Sequence, residues 1–255
     1  MTALRATMRA AMAEAWANRT GFWAQVTVMA VNDVAWLAFW LLFFHRVGTI
    51  RGWDSSRVLM LLAVLTTAAG LVLGVLANAR SLGRLAAAGE LDAALALPVP
   101  TLPYLLVRRV NPTNLGDVAF GVALFAVAGH PTPQRLAVYV TGVLVSAALL
   151  TGFLVATGSL SFFAGRNDAG ELGFHAMLMF ASYPVDVFGG AAKLFLYTVL
   201  PAAFVGAVPA RLVDDFDPVV AAALLGSAAI FVAAGWTVFT LGLRRYASGA
   251  VWTRA

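Results

Sequence analysis

The sequence predicts an all-α polytopic membrane protein, from its composition, its long apolar runs and the short polar segments between them. Of the 255 residues, 61% are hydrophobic and 11% are charged, whereas about 25% of residues are charged in a typical soluble domain. A soluble fold of this length could not bury so much apolar surface, so we expect the bilayer to be the solvent. We expect one transmembrane domain over residues 1–255, with six transmembrane helices, an N-terminal interfacial helix at 1–20 and a re-entrant segment at 186–210.

The net charge of +5 does not indicate a nucleic-acid partner, because the arginines flank apolar runs and form no single basic face. The chain has no cysteine, which excludes disulfides and cysteine-based metal or redox sites. The N-terminus lacks a short apolar core followed by a small-residue cleavage site, so we expect no signal peptide.

Residues 1–20 predict an amphipathic helix that lies in the membrane interface. Apolar residues recur at helical spacing, and arginines occupy the rest of the surface. Trp16 and Trp23 bracket the end of this helix, and tryptophan is enriched at membrane–water interfaces. The alternative interpretation is a frayed basic tail.

Four apolar runs are each long enough to cross a bilayer, which takes about 20 residues. They are 22–44, 58–77, 136–164 and 219–243, and only the first contains a charged residue, Asp33. The second carries glycines at positions 70 and 74, a spacing that lets helices approach closely.

The other two crossings are less regular. The third has a clean apolar run of eleven residues, 118–128, so it must begin near Leu115 or earlier and include Asp117. Further on, 172–185 and 194–208 are short and contain prolines. Two half-length pieces indicate one crossing plus a re-entrant segment that enters the membrane and returns to the same side.

The distribution of arginine and lysine predicts the orientation. Six crossings place both termini, residues 79–100 and the loop at Arg166 on one side. That side collects eleven of the 17 arginine and lysine residues, and such residues are enriched in cytoplasmic loops. We therefore expect a multi-pass protein of the plasma membrane with both termini in the cytoplasm.

Residues 79–100, which we call the elbow, form the longest internal run that does not look like a membrane span. We expect residues 80–88 to form a short helix that Gly89 ends in the left-handed conformation. Glu90 and Asp92 then fall in the first turn of a second helix, where carboxylates favour the positive end of the helix dipole.

This geometry would present three leucines of the elbow to a groove on a partner protein, with charged residues at the rim. The residues concerned are Arg84, Leu85, Glu90, Leu91, Asp92 and Leu95. The alternative interpretation is a solvated loop whose helix ends are capped.

Polar side chains within the spans are candidates for a transport pathway. Asn32 and Asp33 lie near the middle of the first span, where a carboxylate costs about 2.5–3.5 kcal/mol on insertion scales. They either line a route for a cationic or polar substrate or fix helix packing through a hydrogen bond. We expect Asp117 nearer the cytoplasmic interface, in a structural pair with Arg108 or Arg109. Two interpretations, a residue that lines the pathway or a residue that packs in the ordinary core, also apply to Trp36, Trp40, His175 and Met179.

Residues for catalysis or metal binding are not grouped in the sequence. The only lysine, Lys193, follows Ala192, so no Gly-x-x-x-x-Gly-Lys-Ser/Thr phosphate loop is present. His45, His130 and His175 are far apart and lack a metal-binding spacing, so we expect no metal site. We expect no catalytic residues and no cofactor bound by this chain.

Three segments resemble the permease subunits of type-2 ABC transporters, in the branch where a six-span permease pairs with a separate ATPase subunit. The first is the elbow, ARSLGRLAAAGELDAALALPVP, and the second is YPVDVFGGAAKLFLYTVLPAAFVGAVPARLV at 183–213. The third is the end of the last span, closed by Arg244, Arg245 and Tyr246. The order of these elements matches over nearly the whole chain, and none of them is catalytic.

The resemblance implies that two permeases, copies of this chain or related chains, form a pathway in the lipid above two ABC ATPase subunits. ATP and Mg²⁺ would bind to the ATPase, so this chain would not be an enzyme. The interfacial helix and the elbow would contact the ATPases, and the segment before the last span would be re-entrant. ATP hydrolysis would drive export of an amphiphilic or hydrophobic compound such as a drug, lipid or natural product.

Two other classes of function stay open at this point. An integral-membrane enzyme acting on lipid would favour clustered histidine or acidic residues facing the membrane, and the sequence shows no such cluster. A channel or secondary transporter would favour charged residues in several spans, and only Asp33 is deep.

Overall fold

The computed structural model describes residues 19–165 and 169–246, together with 6–10, 13 and 17. These residues are helical or irregular, and their only β-type pairing is an isolated bridge between Ile50 and Trp53. The predicted all-α class is therefore confirmed. Residues 6–10 of the expected interfacial helix are helical, and most of the rest of that helix lies outside the described residues.

Thirteen α-helices follow one another from residue 19 in the described part of the chain. They are α1 (Arg19–Val47), α2 (Ser55–Val75), α3 (Leu82–Ala87), α4 (Asp92–Leu95), α5 (Thr101–Val107), α6 (Leu115–Ala128), α7 (Pro133–Ser159), α8 (Ser161–Ala164), α9 (Ala169–Ala181), α10 (Gly190–Thr198), α11 (Ala202–Val205), α12 (Ala207–Asp214) and α13 (Pro218–Leu243). Short 3₁₀ turns lie at Ala79–Ser81, Pro112–Asn114 and Val185–Val187.

Four of these elements are long and apolar enough to cross a membrane. They are α1, α2, α7 continued by α8, and α13, and each coincides with one of the four long runs predicted from the sequence. The helix α6 is apolar but has only 14 residues.

Capping residues explain where three of the long helices begin. Asp54 accepts a hydrogen bond from a first-turn amide of α2, and Thr132 does the same for α7. Asp217 accepts from two amides of α13. Pro133 and Pro218 occupy the first turns of α7 and α13, where proline's missing N–H removes no helical hydrogen bond.

The helix α2 is the centre of the bundle. In its most apolar stretch 78% of the residues are buried, against 11% in α1 and 22% in α13. It packs against α6, α7 and α12. A Cβ at Gly70 would lie 2.8 Å from the carbonyl oxygen of Asn114, and one at Gly74 would lie 2.8 Å from Leu115 Cδ2. The two glycines of α2 therefore allow α6 to lie directly against it, as their spacing predicts.

The helices α7 and α13 also meet at glycines. A Cβ at Gly152 would lie 2.6 Å from the carbonyl oxygen of Phe231, and one at Gly235 would lie 2.5 Å from that of Gly152. The two backbones are therefore in direct contact. By contrast, a Cβ at Gly226 of α13 would meet nothing within 4 Å.

Side-chain contacts identify the two ends of the bundle. The elbow lies where α2 and α7 end, because the backbone nitrogen of Asn111 donates to the carbonyl oxygen of Gly74 at 2.8 Å, and Gly83 lies against Gly158. At the opposite end, which we call the distal end, Arg135 at the start of α7 pairs with Asp214.

Between α9 and α13 the chain passes from the distal end to the level of the middle of α7 and then returns to the distal end. Asp186 lies at the distal end, where its carboxylate accepts from Trp53 Nε1 at 2.8 Å. The carbonyl oxygen of Phe204 then accepts from the hydroxyl of Ser146, in the middle of α7, at 3.2 Å. At Asp214 the chain is again at the distal end.

We predict that Gly235→Ala destabilises the bundle by about 1–3 kcal/mol, the usual cost of adding atoms to a tightly packed contact. The added methyl group would push α13 away from α7. The measurement is the melting temperature of the purified protein in detergent.

The matched control is Gly226→Ala in the same helix, where the added methyl group has free space. Alanine is the better helix former, so this variant should melt at or above the wild-type temperature. Equal melting temperatures for the two variants would contradict the packing of α7 on α13.

Candidate functional site

A cavity of about 610 Å³ lies between α1, α2, α6 and α9. Each of these helices, or the residue that directly adjoins it, contributes polar atoms to the wall. The polar residues in the middle of the cavity are Asn32, Asp33, Thr66, Asn114, Asp117 and Ser182. Aromatic side chains of three helices complete the wall, and they are Trp36, Phe120 and Phe174.

Two carboxylates face this cavity from different helices. Asp33 of α1 and Asp117 of α6 are each only 8% exposed. Asn32, the neighbour of Asp33 in the chain, also lines this cavity. Within the described part of the chain, neither carboxylate forms an ion pair with lysine or arginine, and the Asp117 carboxylate accepts no hydrogen bond.

The expected pairing of Asp117 with Arg108 or Arg109 is wrong. Arg108 pairs with Glu90 of the elbow, with 3.1 Å between Nη2 and Oε2. Asp117 lies in the first turn of α6 and lines the cavity with Asp33. The reason is that α6 begins only at Leu115, after the chain has turned back from the elbow toward α1 and α2.

Part of the cavity wall is formed by three polar residues for which no role was predicted, Asn111, Thr113 and Asn114. Pro112–Asn114 is a 3₁₀ turn against α2. The hydroxyl of Thr113 contacts the side-chain oxygens of Asn111 and Gln25, the latter at 3.2 Å. Three polar residues within four positions at the start of a short span are the signal that could have identified this wall.

The structure brings together three of the six predicted pathway residues. Asn32, Asp33 and Trp36 line the cavity. Trp40 is one turn further along α1 and is buried in an aromatic cluster, with its ring centroid 5.6 Å from that of Tyr183.

His175 and Met179 of α9 do not line this cavity. His175 is exposed, and its Nδ1 hydrogen bonds to the carbonyl oxygen of Glu171 at 2.8 Å. The side chain of Met179 is also exposed. The helix α9 directs Phe174 and Leu178 toward the cavity instead, so residues one position further along point away from it.

The local geometry of the elbow agrees with the prediction at Gly89. Its φ is +73°, and it follows the end of α3. The Glu90 amide donates to Leu85 O at 3.0 Å and the Gly89 amide donates to Ala86 O at 3.2 Å. These two bonds form the Schellman motif that ends many helices. Asp92 is in the first turn of α4 as expected, whereas Glu90 precedes that helix.

Two of the three leucines expected to face a partner are buried inside the chain. Leu85 and Leu91 belong to a cluster, which we call the elbow core, that includes Leu105 of α5, Val155 of α7 and Phe239 of α13. The expectation that Leu85 and Leu91 present an exposed surface is therefore wrong, because the elbow folds back onto the ends of its own helices.

The exposed surface of the elbow consists of other predicted residues. Leu95 is 43% exposed, Arg84 and Glu90 are exposed, and Asp92 is half-buried. Leu97, for which no role was predicted, is 42% exposed. Any partner of the elbow would therefore meet two leucines beside charged side chains.

A second cavity of about 690 Å³, the elbow groove, adjoins the first at the elbow end of the bundle. Its charged residues are Arg80, Arg84, Glu90, Arg108 and Arg109. Gln25, Arg80 and Asn111 line both cavities. The two cavities therefore lie next to each other along one side of the bundle.

A cluster of charged residues closes the distal end. The Asp186 carboxylate accepts from Trp53 Nε1 at 2.8 Å and from Lys193 Nζ at 2.7 Å, and it also pairs with Arg211. The Arg211 guanidinium lies 5.0 Å from the centroid of the Trp53 ring. Arg51 donates to the backbone oxygen of Asp186 at 2.8 Å. Asp186 thus connects the start of α2 to the segment before α13.

Comparison with protein-family models matches residues 30–250 to a family described as ABC-2 family transporter protein. The matched range includes most of α1 and every later helix, so it contains the elbow and most of the residues that line the cavity. No curated protein and no solved structure matches this chain.

We predict that Asp186→Asn lowers the melting temperature, because Lys193 and Arg211 would lose their common counter-charge. A hydrogen bond to a charged group contributes about 1.5–3 kcal/mol, and Asp186 carries several. Asp215→Asn is the matched control, since Asp215 is exposed and in the described structure its side chain forms no hydrogen bond or ion pair. A loss of stability of equal size in both variants would contradict a specific role for Asp186.

Proposed function

Because this chain belongs to the ABC-2 family of transporter proteins, we propose that it is the permease subunit of an ATP-driven exporter. Membership of this family supports a multi-pass transport component that works with an ATPase subunit. In our proposal two ATPase subunits bind ATP and Mg²⁺, and a second permease, either a copy or a related chain, completes the pathway. The low burial of α1 leaves an apolar surface for that second permease or for lipid.

The exported compound in this proposal is amphiphilic or hydrophobic. The cavity between α1, α2, α6 and α9 supports this, because its wall combines leucines and aromatic rings with amides, hydroxyls and carboxylates. A volume of about 610 Å³ lies within the range of roughly 300–1,000 Å³ that is usual for small-molecule sites.

We propose six crossings, with α6 and α9 as the third and fifth, in addition to the four long candidate spans. The contacts of these two helices support the count. The helix α6 begins at the elbow end, beside Gly74. The helix α9 also begins there, where a Cβ at Gly170 would lie 3.2 Å from the carbonyl oxygen of Arg80, and the chain then reaches the distal end at Asp186.

The proposed re-entrant segment at residues 186–210 follows from the change of depth along α7. The segment starts at the distal end, reaches mid-depth near Ser146 and leads back to the distal end through α12. A membrane tolerates irregular backbone only where protein buries it. This condition is met by α11 and α12, because Ala203, Val205 and Ala207 are buried against the bundle.

We place the elbow end and both termini in the cytoplasm and the protein in the plasma membrane. The excess of arginine at the elbow end supports this orientation, because basic residues are enriched on the cytoplasmic side. An ATPase in the cytoplasm would then meet the elbow directly.

The observation that carries the proposal is the attachment of the elbow to the spans. A Cβ at Gly83 would lie 2.9 Å from the carbonyl oxygen of Gly158, so α3 touches the end of α7 without intervening side chains. The elbow core joins the same segment to α5 and α13. A force applied to the exposed residues of the elbow would therefore move α7 and α13 with it.

We predict that the affinity-tagged chain purifies from its own cells with an ABC ATPase, and that the purified complex hydrolyses ATP. Replacing Glu90 and Asp92 by Gln and Asn should reduce the recovered ATPase several-fold, because Glu90 is exposed and Asp92 is partly exposed on the elbow. The measurements are quantitative immunoblotting of the ATPase subunit and phosphate release by the complex.

Arg108→Gln is the control that separates loss of the Arg108–Glu90 ion pair within the chain from loss of a contact between Glu90 and the ATPase. This variant breaks the same Arg108–Glu90 ion pair but leaves the Glu90 carboxylate free for a partner. Loss of ATPase from both variants would attribute the effect to the ion pair. A chain that purifies alone and turns over lipid without ATP would contradict the exporter.

A further inference from the structure

We propose that the cavity between α1, α2, α6 and α9 binds an organic cation with an apolar body, whose charged group lies between Asp33 and Asp117. The inference rests on the proposed function in one respect, because it takes this cavity as the place where a transported compound binds. It adds the charge of the ligand and the two residues that recognise it.

The first argument is the missing counter-charge. Asp33 and Asp117 come from different helices, are each 8% exposed and face one cavity. A buried carboxylate is costly unless a cation or hydrogen-bond donors compensate it, and a second carboxylate nearby increases that cost. Among the described residues, no lysine or arginine pairs with either one. A cationic ligand would supply the missing charge to both.

The second argument is that Asp117 has no polar partner. Its carboxylate lines the cavity and accepts no hydrogen bond within the described structure. The neighbouring hydroxyls do not supply one, because those of Thr66 and Ser182 donate to carbonyl oxygens of Leu62 and Leu178 in their own helices, at 2.8 and 3.0 Å. This buried acceptor is therefore directed into an open volume that a ligand can fill.

The third argument concerns the only basic residue in the described lining, Arg80. It lies at the elbow end of the cavity, where it also lines the elbow groove. Its Nη1 is 3.9 Å from Glu171 Oε1, and its guanidinium lies 5.5 Å from the centroid of the Phe174 ring. Arg80 is thus partly balanced by Glu171, and it forms no ion pair with Asp33 or Asp117.

The apolar part of the ligand follows from the rest of the wall. Trp36, Phe120 and Phe174 contribute aromatic rings, and Leu62, Leu65 and Leu73 of α2 contribute aliphatic surface. Aromatic faces attract cations, and the aliphatic surface favours a hydrophobic body. An anion would be repelled by both carboxylates, and a neutral hydrocarbon would leave them unpaired.

The test uses the full chain, with any subunits that purify with it, in nanodiscs of zwitterionic lipid. The probe is radiolabelled tetraphenylphosphonium, and the matched probe is tetraphenylborate, which has nearly the same size and shape and the opposite charge. We expect saturable binding of tetraphenylphosphonium above that of empty nanodiscs, and no saturable binding of tetraphenylborate.

Variants identify the residues. Asp33→Asn and Asp117→Asn should each weaken tetraphenylphosphonium binding about tenfold or more, as expected for loss of one charged partner, and the double variant should abolish it. Asp215→Asn makes the same chemical change at an exposed position outside the cavity and should leave binding unchanged. Elution volume and melting temperature show whether each variant is folded.

Two results would overturn the inference: saturable binding of both probes to the wild type, or unchanged binding of tetraphenylphosphonium to a folded double variant. Absence of saturable binding to the wild type would also overturn it. If a variant does not fold, the comparison of the two probes on the wild type still tests whether the cavity binds a cation and rejects an anion of the same shape. Charge-selective binding by a chain that captures no ATPase would contradict the exporter and support the cation site. A captured ATPase without charge-selective binding would support the exporter and contradict the cation site.

Discussion

The close approach of α2 to α6 is the contact on which the candidate site depends. Gly70 and Gly74 contribute no side chain to the contact, so the start of α6 and the polar turn before it lie directly against the last turns of α2. That position brings Asp117 to the cavity that Asp33 lines from α1. Larger side chains at the two glycines would separate these walls, because helices in a membrane have no hydrophobic force to hold them together and depend on close packing.

Leu85 and Leu91 attach the elbow to the bundle, and its outer surface carries charged residues together with Leu95 and Leu97. Leu85 and Leu91 pack with Val155 and Phe239, whereas Arg84 and Glu90 stay at the surface. This packing attaches the elbow to the ends of α7 and α13. In the exporter that we propose, such an attachment would pass a movement of the ATPase to the spans, and a loosely attached loop would not.

The charges along the bundle differ in how well they are balanced. At the distal end Asp186 has Lys193 and Arg211 as partners. At the elbow end, arginines outnumber the carboxylates of the elbow groove. The middle holds two carboxylates without a described cation. An unbalanced charge is most costly in the middle of a membrane, and in the site that we propose a cationic ligand would balance this pair.

The sequence by itself determined the features that depend on neighbouring residues: the four long spans and the left-handed turn at Gly89. Tertiary structure decided which side chains meet. It placed Asp117 beside the cavity of Asp33 and turned Leu91 inward. The physical reason is that spans such as α13 are apolar on every side, so their periodicity marks no inward face. The facing side is set by contacts between distant helices.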